Sequence, residues 1–229
     1  GAIDLETITG FSYPEMFVRL KAETSYNELT EDSSNPKLAA TFTNRWELGD
    51  GEMGVAVVLS DQTRRIVGEN NEVGGWGEIA PDDDFELRFY DLERKRQGAV
   101  LALDYRANSG NSYFAHFFHN EYSDTEWRAK WETRDGLEDN DPIIDGSVFS
   151  YANTRVDSES RNRTEKREIT SVRVGTDLKL SDTSLLEIEL FHSEAEQDDG
   201  DRQAVIFRSS TIDQPITYNN SDTRSPVVT

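Results

Sequence analysis

Residues Leu38–Ser60, LAATFTNRWELGDGEMGVAVVLS, decide the fold. One set of alternate positions reads Leu38, Ala40, Phe42, Asn44, Trp46, Leu48, and the other reads Ala39, Thr41, Thr43, Arg45, Glu47. A period of two places these sets on opposite faces of an extended strand, one apolar and one polar. Gly49-Asp50-Gly51 then supplies a hairpin turn. Beyond it Met53, Val55, Val57 and Leu59 stand opposite Gly54, Ala56 and Ser60, with Val58 breaking the pattern.

The same alternation runs outward in both directions. Met16–Tyr26 sets Met16, Val18, Leu20, Ala22 against Phe17, Arg19, Lys21, Glu23. Ala99, Leu101, Leu103 and Tyr105 oppose Ala102, Asp104 and Arg106, and Asn108-Ser109-Gly110-Asn111 turns the chain into Tyr113–Tyr122. Val172, Val174, Thr176, Leu178, Leu180 oppose Ser171, Arg173, Gly175, Asp177, Lys179. Ser181-Asp182-Thr183 then leads to Leu186, Ile188 and Leu190. This pattern predicts about seven long strands and no helix.

Short turns near Gly49, Gly110 and Asp182 alternate with long polar segments at 65–93 and 132–165 and a shorter one at 27–36. Alternation alone fits a soluble sandwich, with the apolar face as core, and a membrane barrel, with that face on lipid. The sorting of connections by length favours the barrel, whose periplasmic turns are short and outer loops long. Charged residues at the centres of the polar faces suit a wet lumen. Tyr26, Trp46, Tyr105, Tyr122, Trp127 and Trp131, near strand ends, suit interfacial girdles.

Composition narrows the function. The 229 residues carry 45 Asp plus Glu against 24 Lys plus Arg, a net charge of -21, which disfavours nucleic acid as a partner. With no Cys there is no disulfide, thiol nucleophile or thiolate metal site. No apolar run is long enough for a transmembrane helix. The ends, GAIDLETITGF and RSPVVT, read as the interior of a longer chain.

The stretch ERKRQGAVLALDYRANSGNSYFAHFFHNEYSD (Glu93–Asp124) resembles the barrel of TonB-dependent receptors: a strand descending to "ALDYR", a short turn, and an aromatic strand rising into "NEYSD". RNRTEKREITSVRVGTDLKLSDTSLLEIELFHSEAEQDD (Arg161–Asp199) resembles the next hairpin of that family. Residues 1–11 resemble its last plug strand through Gly1, Ile3, Asp4, Leu5 and Thr7, although Ile8, Thr9 and Gly10 replace the family's basic and proline ending. The resemblance implies an all-β chain forming an antiparallel up-and-down transmembrane β-barrel, incomplete here. Residues 1–11 would end the plug and 12–229 would begin a barrel of about 22 strands. It implies TonB-dependent active uptake of a scarce ligand, such as a siderophore or oligosaccharide, across the cell outer membrane of a Gram-negative bacterium. The implied partners are the TonB complex, engaged through parts outside this chain, outer-membrane lipid and lipopolysaccharide, and the small-molecule ligand. The alternative is a secreted all-β module that binds carbohydrate or another ligand.

Catalytic and metal sites are not expected, nor is a cofactor. His116 and His119 are three apart in a strand and point to opposite faces, and His192 is isolated. No GxSxG elbow occurs. Asp82-Asp83-Asp84 and Asp198-Asp199-Gly200-Asp201 read as solvated acidic loop ends that match no Ca²⁺ loop. Arg94-Lys95-Arg96 and Arg161-Asn162-Arg163 read either as lipid-phosphate contacts or as pairs with Glu93, Glu159 and Glu165. Trp76, in Gly74-Gly75-Trp76-Gly77, suits sugar stacking or loop packing. Trp76, Tyr90, Trp127 and Trp131 are the expected ligand-facing aromatics.

Overall fold

A computed structural model describes residues 7–78, 84–134, 142–209, 214–223 and 226–229. Among these the chain is all-β, with strands β1 (Phe17–Glu23), β2 (Lys37–Glu47), β3 (Gly51–Val73), β4 (Phe85–Ala107), β5 (Ser112–Arg134), β6 (Ile143–Asp145), β7 (Val148–Ser181), β8 (Ser184–Asp198), β9 (Gln203–Arg208), β10 (Gln214–Asn219) and β11 (Val227–Val228). They form an 11-stranded sheet along the path β1-β2-β3-β4-β5-β7-β10-β11, with β6, β8 and β9 also paired to β7. The pairings of β1 with β2, β2 with β3 and β7 with β8 are antiparallel. Among the described residues β1 pairs only with β2 and β8 only with β7, so the sheet is open.

Each strand expected from alternation falls on β1, β2, β3, β4, β5, β7 or β8. The count of seven is corrected to eleven, because the short β6, β9, β10 and β11 lie in segments without alternating hydropathy. The expected loops 65–93 and 132–165 are corrected too. Strand β3 continues to Val73, β4 begins at Phe85, and β7 begins at Val148. The β4 extension does alternate, Phe85, Leu87 and Phe89 against Glu86, Arg88 and Tyr90, whereas those of β3 and β7 are mostly polar over Glu69–Glu72 and Asn153–Glu165, where hydropathy contrast fades while backbone pairing persists.

The chain divides into two compact units: Gly1–Arg65 with Glu93–Asp124 and Glu165–Gly200, and Ile66–Leu92 with Thr125–Thr164 and Asp201–Thr229. Strands β3, β4, β5 and β7 contribute to both. The first unit holds the three short turns, between β2 and β3, β4 and β5, and β7 and β8. Gly49 and Gly110 take φ of 61° and 90°, a left-handed backbone that a side chain would strain.

Register fixes the faces of the first unit. Val18 pairs with Phe42, Leu20 with Ala40, and Leu38 with Asp61, while Thr43 pairs with Ala56. Val174 pairs with Leu190 and Leu178 with Leu186, while Arg173 pairs with Phe191. Directly paired residues share a face, so an apolar face and a charged face run across the sheet. On the charged face Phe114 lies over Gly175, where an added Cβ would meet its ring at 2.4 Å and the Ile188 carbonyl at 2.7 Å. The Arg173 guanidinium sits 5.0 Å from the same ring. Phe11 lies against Gly54, with Arg106 over its ring at 4.0 Å, which docks the Thr9–Ser12 turn on this face. Of the residues read as the last plug strand, 1–6 lie outside the described residues and 7–11 form no strand.

Burial in this unit is inverted. Thr43, Ala56, Ala102, Asp124 and Glu165 are buried, and all belong to the charged face. Leu20 is 78% exposed, Leu38 56%, Leu59 52% and Val174 40%, all on the apolar face. Trp46, Tyr105 and Tyr113 flank the short turns on that apolar face, and the Tyr105 hydroxyl donates to the Leu48 carbonyl (3.1 Å). Tyr122, expected beside them, is instead on the charged face, where its hydroxyl donates to Asp124 (2.7 Å).

Candidate functional site

The second unit has a small aromatic core of Phe85, Phe149, Tyr151 and Tyr218, packed with Val73 and Val228. Phe85 stacks on Tyr218 with ring centroids 4.2 Å apart, and its backbone N–H donates to Thr133 Oγ1 at 2.9 Å. Burial alone raises the pKa of the Tyr218 phenol, so the ring stays neutral. The segment after β3 is closed at its base by the Gly74 N–H donating to the Asp84 carbonyl (2.8 Å). Trp76 stands just inside this closure. Its ring meets Phe149 at 6.2 Å and Tyr218 at 6.5 Å, at interplanar angles of 84° and 70°. Edge contacts of this kind hold a ring without covering it, and Trp76 remains 51% exposed.

Trp76 lines a cleft of about 620 Å³ together with Glu69, Asn70, Asn71, Asn220 and Thr223, with Tyr218 behind it. That size suits a small ligand. Asn70 Nδ2 donates to Glu72 (3.2 Å). The cleft therefore combines one fixed, half-open indole with amides that both donate and accept. A hollow of about 650 Å³ in the first unit is a furrow in the apolar face, walled by Leu20, Leu38, Ala40, Leu59 and Ala99.

The other aromatics expected to face a ligand are not gathered here. Tyr90 lies on the charged face of the second unit, near Arg88 and Arg128. Trp127 lies on the opposite face of β5, 41% exposed, edge-on to Phe89 (5.8 Å) and donating from Nε1 to Ser160 Oγ (3.1 Å). Trp131 lines a hollow with Leu87, Phe89 and Ala129 that shares Glu69 and Asn71 with the Trp76 cleft. Asn70, Asn71, Asn220 and Thr223 were not legible as site residues. Asn70 and Asn71 stand in the polar end of β3, where hydropathy gives no signal, and the meeting of Asn220 and Thr223 with Trp76 depends on β10 pairing with β7.

The charged face of the second unit is a ladder of ion pairs. Arg88 contacts Glu72 and Glu86, Lys130 contacts Glu86 (3.3 Å) and Glu132, Arg128 contacts Glu159, and Arg161 contacts Glu126. Buried charges must be paired to be tolerated, and Glu126, Lys130 and Glu132 are under a tenth exposed. The basic clusters are paired across strands, Arg94 with Asp124 and Arg161 with Glu126, and Lys95 pairs with neighbouring Glu93. Asp84, Glu86 and Glu132 bring carboxylate oxygens within 4.8 Å of one another. Lys130 occupies that cluster as its cation. Asp82 and Asp83 lie outside the described residues, and Asp198 accepts the Gly200 N–H (2.8 Å) as a turn residue. His116 and His119 do point apart: the first meets Asp104 (2.9 Å) and the second Thr170 (2.9 Å).

Burial works to lower the Arg128 pKa, but Glu159 and Tyr90 outweigh it and raise it. Burial likewise works to raise that of Glu159, yet the Arg128 hydrogen bond and charge, with Lys130 and Arg161, hold it below the usual 4.5. A carboxylate with a depressed folded pKa stabilises the fold above its unfolded pKa and loses that contribution as pH falls through the folded value. Denaturation midpoints are therefore expected to fall as pH drops below about 4.5. Glu159→Gln should flatten part of that slope; an identical slope in the variant refutes the coupling.

No helix among the described residues is long and apolar enough to cross a membrane, which leaves crossing by strands open. Compared with models of known protein families and with curated proteins, the sequence matches none.

Proposed function

We propose that this chain is part of an outer-membrane β-barrel receptor of the TonB-dependent kind, which takes up a scarce small-molecule ligand. The inverted burial of the first unit carries the reading. An apolar face this exposed is unfavourable in water, at about 25 cal/mol per Å² of apolar surface, and costs nothing against lipid. Val172–Leu180 is nine residues of β7, within the roughly 9–11 residues that a tilted transmembrane strand needs. Trp46, Tyr105 and Tyr113 beside the short turns fit an interfacial girdle. Buried, cross-paired charges fit a polar interior. The TonB-dependent mode rests on the sequence resemblance of Glu93–Asp124 and Arg161–Asp199. No covalent chemistry is part of the reading: the work is binding and passage, with lipid and lipopolysaccharide against the apolar face and the TonB complex as energy source.

Flotation tests this. Refolded with phosphatidylcholine vesicles, the chain is expected to rise with the lipid in a density gradient and to resist alkaline extraction. A chain that stays in the aqueous fraction as a detergent-free monomer overturns the proposal and favours a secreted all-β binding module.

A further inference from the structure

The geometry points to the Trp76 cleft as a binding site for a neutral oligosaccharide. The inference deepens the receptor reading by naming the class of its ligand. A pyranose ring has an apolar face of C–H groups and a rim of hydroxyls that both donate and accept. The cleft answers both. Trp76 offers a ring held by Phe149 and Tyr218 yet half exposed, and a rigid, amphipathic aromatic gives contact area at low entropic cost. Asn70, Asn71 and Asn220 supply paired donors and acceptors, and Glu69 and Thr223 supply further oxygen acceptors.

The same residues select against other ligands. Among the described residues the cleft has no Lys or Arg in its lining, and it carries Glu69. The unit around it holds 20 acidic and 10 basic residues. An anionic ligand would meet the Glu69 carboxylate and the net negative charge of the unit. A cation cage needs several open ring faces, and here Tyr218 is only 4% exposed.

The test is calorimetric titration of the 229-residue chain, refolded in lauryldimethylamine oxide, whose headgroup is not a sugar. The probes are the neutral hexasaccharides of glucose, mannose and xylose, and anionic hexagalacturonate. At least one neutral probe is expected to bind one to one with a Kd below roughly 1 mM, and hexagalacturonate at least about tenfold more weakly. Trp76→Ala should weaken binding more than about tenfold. Asn220→Ala, which leaves the aromatic cluster intact, should weaken it about threefold or more. Trp46→Phe, in the first unit, should leave it unchanged. The inference is overturned if none of the three neutral probes binds at that level, if hexagalacturonate binds as tightly, or if both cleft variants bind like the parent. Flotation reads the receptor proposal separately. Sugar binding without flotation keeps the cleft and discards the receptor; flotation without sugar binding does the reverse.

Discussion

Replacing Val174 with arginine should destabilise the vesicle-inserted protein by roughly 2–4 kcal/mol, the range for a charge placed at mid-depth on a lipid-facing strand. Val174 lies within the apolar stretch of β7, two residues from its central Thr176, is paired with Leu190, and is 40% exposed. In water an arginine at so open a position is worth within about 0.5 kcal/mol of the valine. The substitution thus turns the question of solvent into an energy. Ser171→Arg, on the charged face of the same strand, should cost less than about 1 kcal/mol, because that face already holds Arg173. Urea titration of both variants in vesicles gives the comparison. Equal effects of the two substitutions would remove the lipid face from the account.

Asp124→Ala should cost about 3–5 kcal/mol, the typical penalty for removing one partner of a buried ion pair. Asp124 is 4% exposed. It accepts from Arg94 Nε (3.0 Å), a terminal Arg94 nitrogen (2.7 Å) and the Tyr122 hydroxyl (2.7 Å). Arg94 and Arg96 both approach the Tyr122 ring, at 5.6 and 5.3 Å. Removing the carboxylate leaves two guanidiniums around one aromatic ring, with the nearest counter-charge gone. The double variant Arg94→Met with Asp124→Leu should recover much of the loss, since an apolar pair has no charge to desolvate. A double-mutant cycle by chemical denaturation measures the coupling. A single-variant cost under about 0.5 kcal/mol would mean that the pair is fully hydrated and holds nothing in place.

These two expectations concern opposite faces of one sheet, and they mark where sequence reading stops. Alternation in Met16–Tyr26, Leu38–Ser60, Ala99–Tyr122 and Val172–Leu190 determined the long strands, because side chains of a strand alternate regardless of partner. The three short turns were legible from Gly49, Gly110 and Asp182 for a similar reason, since turn chemistry is local. Which face is buried was not legible. Leu20 opposite Arg19 reads identically in a soluble sandwich and in a lipid-facing sheet. Only pairing of β1 through β8 showed Asp124 and Ala56 covered and Leu20 open. The polar continuation of β7 was hidden, because Arg161–Glu126 and Arg128–Glu159 pairs replace hydropathy as its contact with β5. The cleft was half legible. Trp76 was visible as an aromatic among glycines, while Tyr218 and Asn220 were not, since they reach it through strand pairing across well over a hundred residues of chain. Local periodicity is written residue by residue along the chain; the solvent of each face and the meeting of distant side chains exist only once the strands have paired.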